Sequence, residues 1–192
     1  MKPVDVEPVK LFFGVLYSDE TLLEKAFELI EAWHGPIDFK SDPVPFDVTD
    51  YYAPEMGGPI RRMFASMEKL ISPKRLARTK LESNDIEESL AVGGDRKVNL
   101  DPGYLDFDKV VLASVKYNGD KVYLDHGIWA DLTLRYKNGT FEPYPWSFPD
   151  FKAGLYTGVF KTIREKYKSQ RRELEKSRRE AASDIRLPKN RH

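Results

Sequence analysis

An aspartate stands inside a segment that has the residue pattern of a β-strand. Residues 128–137 (IWADLTLRYK) alternate polar and apolar side chains, which predicts a strand with Trp129, Asp131, Thr133 and Arg135 on one face. Strand interiors are depleted in aspartate, so Asp131 needs an explanation. Either it faces a ligand beside an anion-binding arginine, or it forms a solvent-exposed pair with Arg135 that contributes about 0–1 kcal/mol.

A second carboxylate follows a short predicted strand. The run DPGY at 101–104 has the residues of a type II turn, with proline at the second position and glycine, at positive φ, at the third. Turn chemistry explains most of this pattern, but residues at strand ends also build ligand sites. If the later hairpin extends the sheet beside this strand, we expect Asp101 and Tyr104 to approach Asp131 and Arg135.

A proline-rich aromatic segment could complete this site. Residues 141–151 (FEPYPWSFPDF) contain three prolines, which exclude a helix interior and a central strand, so we expect an extended strap laid over the body. Aromatic side chains of the strap could line a ligand groove, although such segments also serve as lids packed on a core. The sequence therefore gives one candidate ligand site, with the members Asp101, Tyr104, Asp131, Arg135, Trp146 and Asp150.

These six residues fit two kinds of chemistry. Paired carboxylates can hold a divalent metal such as Mg²⁺ through water while the arginine binds a phosphate or carboxylate group, which would allow metal-assisted phosphate chemistry. They fit the binding of a small polar ligand equally well. The sequence therefore leaves open whether the protein is an enzyme.

A second candidate group precedes a glycine-bearing loop and consists of Asp47, Asp50 and Tyr51. An edge strand that is kept polar to avoid mispairing would show the same pattern. In the expected fold Asp50 and Asp101 lie at opposite edges of the sheet, so we expect two separate groups.

Composition excludes several other classes of site. The chain has no cysteine, which excludes disulfides, thiolate metal sites and cysteine nucleophiles. Its three histidines, His34, His126 and His192, lack the i, i+4 spacing of a zinc-binding helix. The longest apolar run, residues 11–17, is too short to cross a bilayer, so we expect a cytoplasmic protein without a membrane partner.

The net charge of zero hides an asymmetry between the two ends of the chain. Residues 1–150 hold 18 Lys and Arg against 26 Asp and Glu, whereas residues 151–192 hold 13 against 5. A basic C-terminal helix suggests the alternative function, a nucleic-acid or ribosome-associated binding protein. A long exposed helix that needs charge to stay solvated gives the same composition.

The elements that must position these residues indicate an α+β fold. Alternation and capping signals predict strands at 10–17, 37–52, 61–70 and 97–101, and helices at 19–34 and 73–91. This β-α-β-β-α-β order is that of a ferredoxin-like core. It is extended by a β-hairpin turning at Asn138-Gly139 and by a long helix from about residue 153. Residues 107–116 fit a helix or a strand. We expect one α+β domain over 1–168 and a basic, weakly packed helical tail over 169–192.

Seven stretches in a fixed order carry a family resemblance: FGVLYSDE (13–20), GPIDF (35–39), PFDVTDYY (45–52), VNLDPGYL (98–105), KVVLAS (109–114), GIWADLTLRY (127–136) and PWSFPDF (145–151). Because of these stretches, residues 10–168 of the chain resemble domain-of-unknown-function family 4416, an uncharacterised prokaryotic family. The resemblance implies no activity, although some members carry a GTP-binding label in their names. The sequence argues against P-loop GTP hydrolysis, because it contains no Gly-Lys-Ser, Gly-Lys-Thr or Asn-Lys-x-Asp.

Overall fold

The longest apolar run of the chain forms the middle of a mixed α+β fold. In the computed structural model, which describes residues 2–184, Val9–Tyr17 is strand β1 and all nine of its residues are buried. A strand covered on both faces needs no polar alternation, which is why the apolar run is continuous.

The described residues form nine strands and five helices. Their bounds are β1 Val9–Tyr17, α1 Glu20–His34, β2 Ile37–Lys40, β3 Val44–Pro45, α2 Ala53–Met56, β4 Arg61–Ile71, α3 Leu76–Ser89, β5 Val98–Leu105, β6 Lys109–Ser114, β7 Val122–Asp125, β8 Ile128–Lys137, β9 Thr140–Pro143, α4 Pro149–Lys152 and α5 Thr157–Asp184. A 3-10 turn, Pro73–Arg75, precedes α3.

All strands join one sheet in the order β2-β4-β1-β5-β6-β8-β7, with β3 paired to β4 and β9 paired to β8. Every neighbouring pair is antiparallel. Pairing between β5 and β6 covers only Gly103–Leu105, so the first half of β5 has no partner on that side. The sheet is therefore open beside residues 98–102.

Helices cover the two faces of the sheet. On one side, called here the α1 face, Phe13 packs with Phe27 of α1 and Ile86 of α3 in the largest hydrophobic cluster. On the other, the α5 face, Phe12 packs with Phe160 of α5. Tyr156, Phe160, Ile163 and Tyr167 are all buried, and their three- and four-residue spacing is that of an apolar helix stripe.

Local signals set several boundaries as predicted. Asp19 caps α1 by accepting a hydrogen bond of 2.9 Å from the Leu22 N–H, and Gly35 ends the helix with φ 87°. Asn138 and Gly139 both have positive φ, 52° and 80°, as a two-residue hairpin between β8 and β9 requires.

The predicted turn at 101–104 is wrong, because β5 runs straight through these residues. Gly103 lies opposite Phe12, and a Cβ there would come within 2.6 Å of both the Phe12 Cζ and the Val111 carbonyl oxygen. Close strand packing therefore requires this glycine. Pro102, which has no N–H to donate, stands where the pairing with β6 stops.

Other predicted bounds also change. The extended stretch expected over 37–52 contains only β2 and β3, and residues 47–52 belong to an irregular loop that leads into α2. Residues 109–114 of the ambiguous segment are a strand. The strap is confirmed as non-helical only up to residue 148, because Pro149 begins the short helix α4.

The last helix continues without a break past residue 168 to Asp184. The remaining basic tail, residues 185–192, lies outside the described residues. Within residues 2–184, no helix combines the length and the apolar character needed to cross a membrane.

Candidate functional site

A β-bulge in β8 separates two of the residues expected to share a face. Leu134 pairs with Val110 of β6, and Leu132 pairs with the next residue, Val111. Thr133 therefore has no partner of its own and is the extra residue of the bulge. Leu132 accordingly packs on the α1 face and Leu134 on the α5 face. The single-face prediction is therefore wrong: Asp131 points to the α5 face and Arg135 to the α1 face.

Tyr104 also points to the α1 face, where it packs against the hydrophobic clusters of α1 and α3. Burial raises the pKa of its phenol. Arg135 is exposed and forms a fork with Glu142, at 3.0 Å from Nε and 2.9 Å from Nη2. The structure thus brings neither Tyr104 nor Arg135 to the carboxylates with which they were grouped.

Asp101 and Asp150 do come together, through an arginine that sequence reasoning missed. Arg62 of β4 is buried, and its Nη1 donates a 2.7 Å hydrogen bond to the Asp150 carboxylate. Its Nη2 lies 3.8 Å from the Asp101 carboxylate. The Tyr156 hydroxyl donates to Asp150 at 2.9 Å, and burial raises the pKa of that phenol. Arg62 could have been found as a charged residue at an inward position of a strand.

Gly14 leaves room for this approach. It lies on β1 directly between Asp101 of β5 and Phe64 of β4, and a Cβ added there would come within 3.2 Å of the Phe64 ring. A side chain at this position would crowd the space between β5 and β4. The Asp101 carboxylate remains accessible, with 27% of its side chain exposed.

A lysine from the opposite layer reaches Asp101 beside the open part of the sheet. Lys80 of α3 is buried, and its amine lies 3.6 Å from the Asp101 carboxylate and 3.7 Å from that of Glu87. Neither distance is a hydrogen bond, and the amine donates instead to the Leu100 carbonyl at 2.7 Å. The periodicity of α3 gave no sign of this, because a buried amine depends on partners from other elements.

Glu87 and Arg96 extend the network away from Asp101. The Glu87 carboxylate accepts 2.6 Å and 2.8 Å hydrogen bonds from the Leu100 N–H and from Arg96 Nη1. Burial raises the pKa of Glu87 in spite of the Lys80 amine beside it. Bonds to Glu55 and Glu87 hold the pKa of Arg96 above its ordinary value.

The second candidate group contributes to the same region through a neighbour. Asp47, Asp50 and Tyr51 are exposed, and the Tyr51 hydroxyl accepts a 2.7 Å hydrogen bond from Lys116. The next residue, Tyr52, is only partly exposed; burial and then the Asp101 charge raise its pKa to about 12. The loop that was expected to be remote therefore brings an aromatic side chain towards Asp101.

Asp131 and Trp146 lie elsewhere on the α5 face. Asp131 is buried 3.3 Å from the Lys121 amine, and burial raises its pKa against the opposing effect of that lysine. The strap is fastened at the bulge of β8: Trp146 donates to the Leu132 carbonyl at 2.8 Å, and the Ser147 hydroxyl donates to the Thr133 carbonyl at 2.5 Å.

Two cations and two carboxylates lie together around Asp101. Within residues 2–184, no three histidine or acidic side chains are grouped so that they could hold a metal ion. Asp101 instead faces the cations Arg62 and Lys80. We call Arg62, Lys80, Asn99, Asp101 and Asp150 the Asp101 cluster.

Comparison with known proteins gives a family and no activity. The model of the family described as Domain of unknown function (DUF4416) matches residues 7–167, which confirms the resemblance carried by the seven sequence stretches. No curated protein and no solved structure matches the chain.

Proposed function

The chain belongs to the DUF4416 family, and for this member we propose the binding of a small ligand that carries both a phosphate or carboxylate group and a hydroxyl group at the Asp101 cluster. One observation carries the proposal. Lys80 is a buried ammonium group whose nearest carboxylates, at 3.6 Å and 3.7 Å, both lie beyond hydrogen-bond distance. Both carboxylates are ionic partners, but the only hydrogen bond of the amine within the described residues goes to the Leu100 carbonyl. Two of its N–H donors are therefore left for an anionic ligand oxygen.

The donors available to the ligand come from two side chains. Lys80 has three N–H donors and uses one of them on the Leu100 carbonyl. Arg62 is held by Asp150 through Nη1, which leaves Nη2 directed towards Asp101. Each of these nitrogens, which contact different oxygens of the Asp101 carboxylate, can bind a phosphate or carboxylate group through charge-assisted hydrogen bonds.

The acceptor is Asp101. Its only hydrogen bond within the described residues comes from the Asn99 amide, at 3.1 Å. A carboxylate can accept several hydrogen bonds, so oxygen lone pairs remain for a ligand hydroxyl. Mg²⁺ is not part of the proposal, because Arg62 and Lys80 would repel it.

A thermal-shift experiment tests the proposal with glucose 6-phosphate and inorganic phosphate as probes. A probe at about 100 times its dissociation constant stabilises the folded state by roughly 2.7 kcal/mol, which raises the melting midpoint. Lys80→Met should abolish the shift for both probes. Lys121→Met is the matched control, because the Lys121 side chain is equally buried but pairs with Asp131. In this variant both probes should still raise the melting midpoint.

Asp101→Asn separates the two halves of the ligand. This substitution should lower the affinity for glucose 6-phosphate by about tenfold, because a charge-assisted hydrogen bond to a ligand hydroxyl is lost. Inorganic phosphate should bind at least as well as before, because a negative charge has been removed. An equal shift in wild type and Lys80→Met, or no shift for either probe, would contradict the proposal.

No observation on the described helix favours the alternative of nucleic-acid binding. Residues 172–184 hold four basic and four acidic residues. Arg171 and Arg178 both bind Glu7, at 2.9 Å and 3.0 Å. Paired cations release fewer counter-ions on binding phosphates, so this surface is a poor electrostatic footprint for nucleic acid.

We also propose that β1, α1, β2, β4, α3 and β5 form a ferredoxin-like core. Support comes from the β-α-β-β-α-β order along the chain and from the antiparallel spatial order β2-β4-β1-β5. We keep residues 1–168 as the domain and residues 169–192 as its tail, with the first residues of the tail, Gln170 and Arg171, in contact with the domain.

A further inference from the structure

The Asp101 cluster is approached by a loop that an arginine helps to fasten to the body. Residues 46–60, called here the covering loop, carry Tyr52 and the short helix α2. Phe46, Met56 and Ile60 pack on Leu16 beneath the loop. Ser18, Lys97 and Lys116 donate hydrogen bonds to the loop. Its charged attachment is a fork in which Arg96 donates to Glu55 at 2.6 Å from Nε and 2.8 Å from Nη2.

The same guanidinium also holds two residues of the body. Its Nη1 donates to Glu87 of α3 at 2.8 Å and to the Asn99 amide oxygen of β5 at 2.9 Å. With these bonds Arg96 joins the covering loop, α3 and β5 at one point. A lysine has only three donors on a single nitrogen, so it could not make these four hydrogen bonds, two of which go to the same carboxylate.

Arg96 thereby sets the orientation of Asn99. An amide has one acceptor oxygen and one donor nitrogen, so an oxygen that accepts from Arg96 turns the nitrogen towards the other side. That nitrogen donates to the Asp101 carboxylate at 3.1 Å. A continuous path of hydrogen bonds therefore runs from Glu55 on the covering loop, through Arg96 and Asn99, to Asp101.

We propose that Arg96 is a positioning residue that couples closure of the covering loop to the orientation of Asp101. The role in ligand binding rests on the proposed function, whereas the coupling itself exists without a ligand. Because coupling is reciprocal, a ligand bound at Asp101 should favour the closed loop. Release of the loop should then lower the affinity for that ligand by the same factor.

Two measurements without ligand test the coupling. Hydrogen–deuterium exchange of residues 46–60 reports the loop, and the Asn99 side-chain amide signal in an NMR spectrum reports the Asp101 end. Glu55→Gln removes the charge of the fork and should raise loop exchange several-fold while shifting the Asn99 signal. Arg96→Lys should also raise loop exchange and shift the Asn99 signal. It provides a second variant in case Glu55→Gln folds poorly.

Glu142→Gln is the matched control, because it removes the carboxylate of the other Arg–Glu fork, at Arg135. It should change neither signal. Unchanged loop exchange in Glu55→Gln, or raised exchange with an unchanged Asn99 signal, would overturn the coupling.

A third measurement, the affinity for glucose 6-phosphate, links the coupling to the proposed function. Glu55→Gln should weaken it at least fivefold, and glucose 6-phosphate should slow loop exchange in the wild type. If both ligand-free signals respond but glucose 6-phosphate does not bind the wild type, the coupling stands and the proposed function fails. Unchanged affinity in a responsive Glu55→Gln variant overturns the positioning role.

Discussion

At the scale of single residues, the bonded partners of each buried charge decide what it can do. Asp131 has Lys121, and Arg62 has Asp150, so each has an ionic partner in place. The Lys80 amine lies near two carboxylates and bonds neither. The Lys80 amine therefore keeps two N–H donors for a ligand, whereas Asp150 already occupies Nη1 of Arg62.

A buried histidine gives a pH-dependent prediction at this scale. His34 Nε2 is buried without a hydrogen bond, 3.8 Å from the Glu82 carboxylate. Burial lowers the pKa of His34; Glu82 opposes this shift and Arg75 adds to it. The unfolded chain therefore binds a proton more readily than the folded one, so stability is lost as pH falls through the ordinary range of histidine.

The measurement is the free energy of unfolding in urea at pH 7.5 and pH 5.5. Between these values the wild type should lose more stability than His34→Gln, by at most about 1.4 kcal/mol per pH unit. The comparison isolates His34 from Glu87, whose raised pKa acts in the opposite direction. An identical pH dependence in the two proteins would show that His34 does not contribute.

At the scale of elements, Gly103 shows how packing overrides a local signal. A Cβ at this position would come within 2.6 Å of the backbone oxygen of Val111, which cannot move away as a flexible side chain could. Gly103→Ala should therefore destabilise the protein by about 1–3 kcal/mol through overpacking between β1, β5 and β6.

The check on Gly103→Ala is the urea midpoint, with Gly119→Ala as the matched control. Gly119 has nothing within 4 Å of an added Cβ, and no positive φ restricts it, so its substitution should be close to neutral. A neutral effect at Gly103 would mean that the three strands can separate slightly at no cost.

The same elements show which parts of the fold were predictable. Asp19, Gly35 and the pair Asn138-Gly139 act on their own neighbours, so their caps and turns follow from the sequence. Gly103 and the bulge at Thr133 depend on contacts with other strands. Because these contacts cannot be read from neighbouring residues, the sequence pattern at Gly103 predicted a turn and the pattern around Thr133 predicted unbroken alternation.

The candidate site was less predictable than the fold for a related reason. Asp101 was selected at the end of a predicted strand and Asp150 in the proline-rich strap, and both belong to the Asp101 cluster. Arg62, Lys80 and Arg96 were missed, because their burial is set by partners 88, 20 and 41 residues away in the chain. Sequence distance hides such pairs.

At the scale of the whole molecule, α5 extends beyond the residues that the family model matches. The match ends at residue 167, whereas the helix continues to Asp184. Two of the first residues beyond the match contact the N-terminal part of the chain. Gln170 accepts a 2.8 Å hydrogen bond from the fully buried Lys10, and Arg171 binds Glu7 at 2.9 Å. Over residues 172–183 the side chains are mostly exposed.

Two truncations should therefore differ in stability although both remove most of the tail. Among the described residues, deletion of residues 176–192 removes only exposed side chains, so it should change the free energy of unfolding by no more than about 0.5 kcal/mol. Deletion of residues 170–192 also removes Gln170 and Arg171, which leaves Asp38 as the single side-chain partner of Lys10. Because a buried ammonium then loses a hydrogen bond, this deletion should cost about 1–3 kcal/mol more. Urea unfolding of the two proteins measures the difference. Equal stabilities would place the end of the folded unit at residue 169 or earlier, whereas a large loss in the shorter deletion would show that the exposed helix packs against another surface.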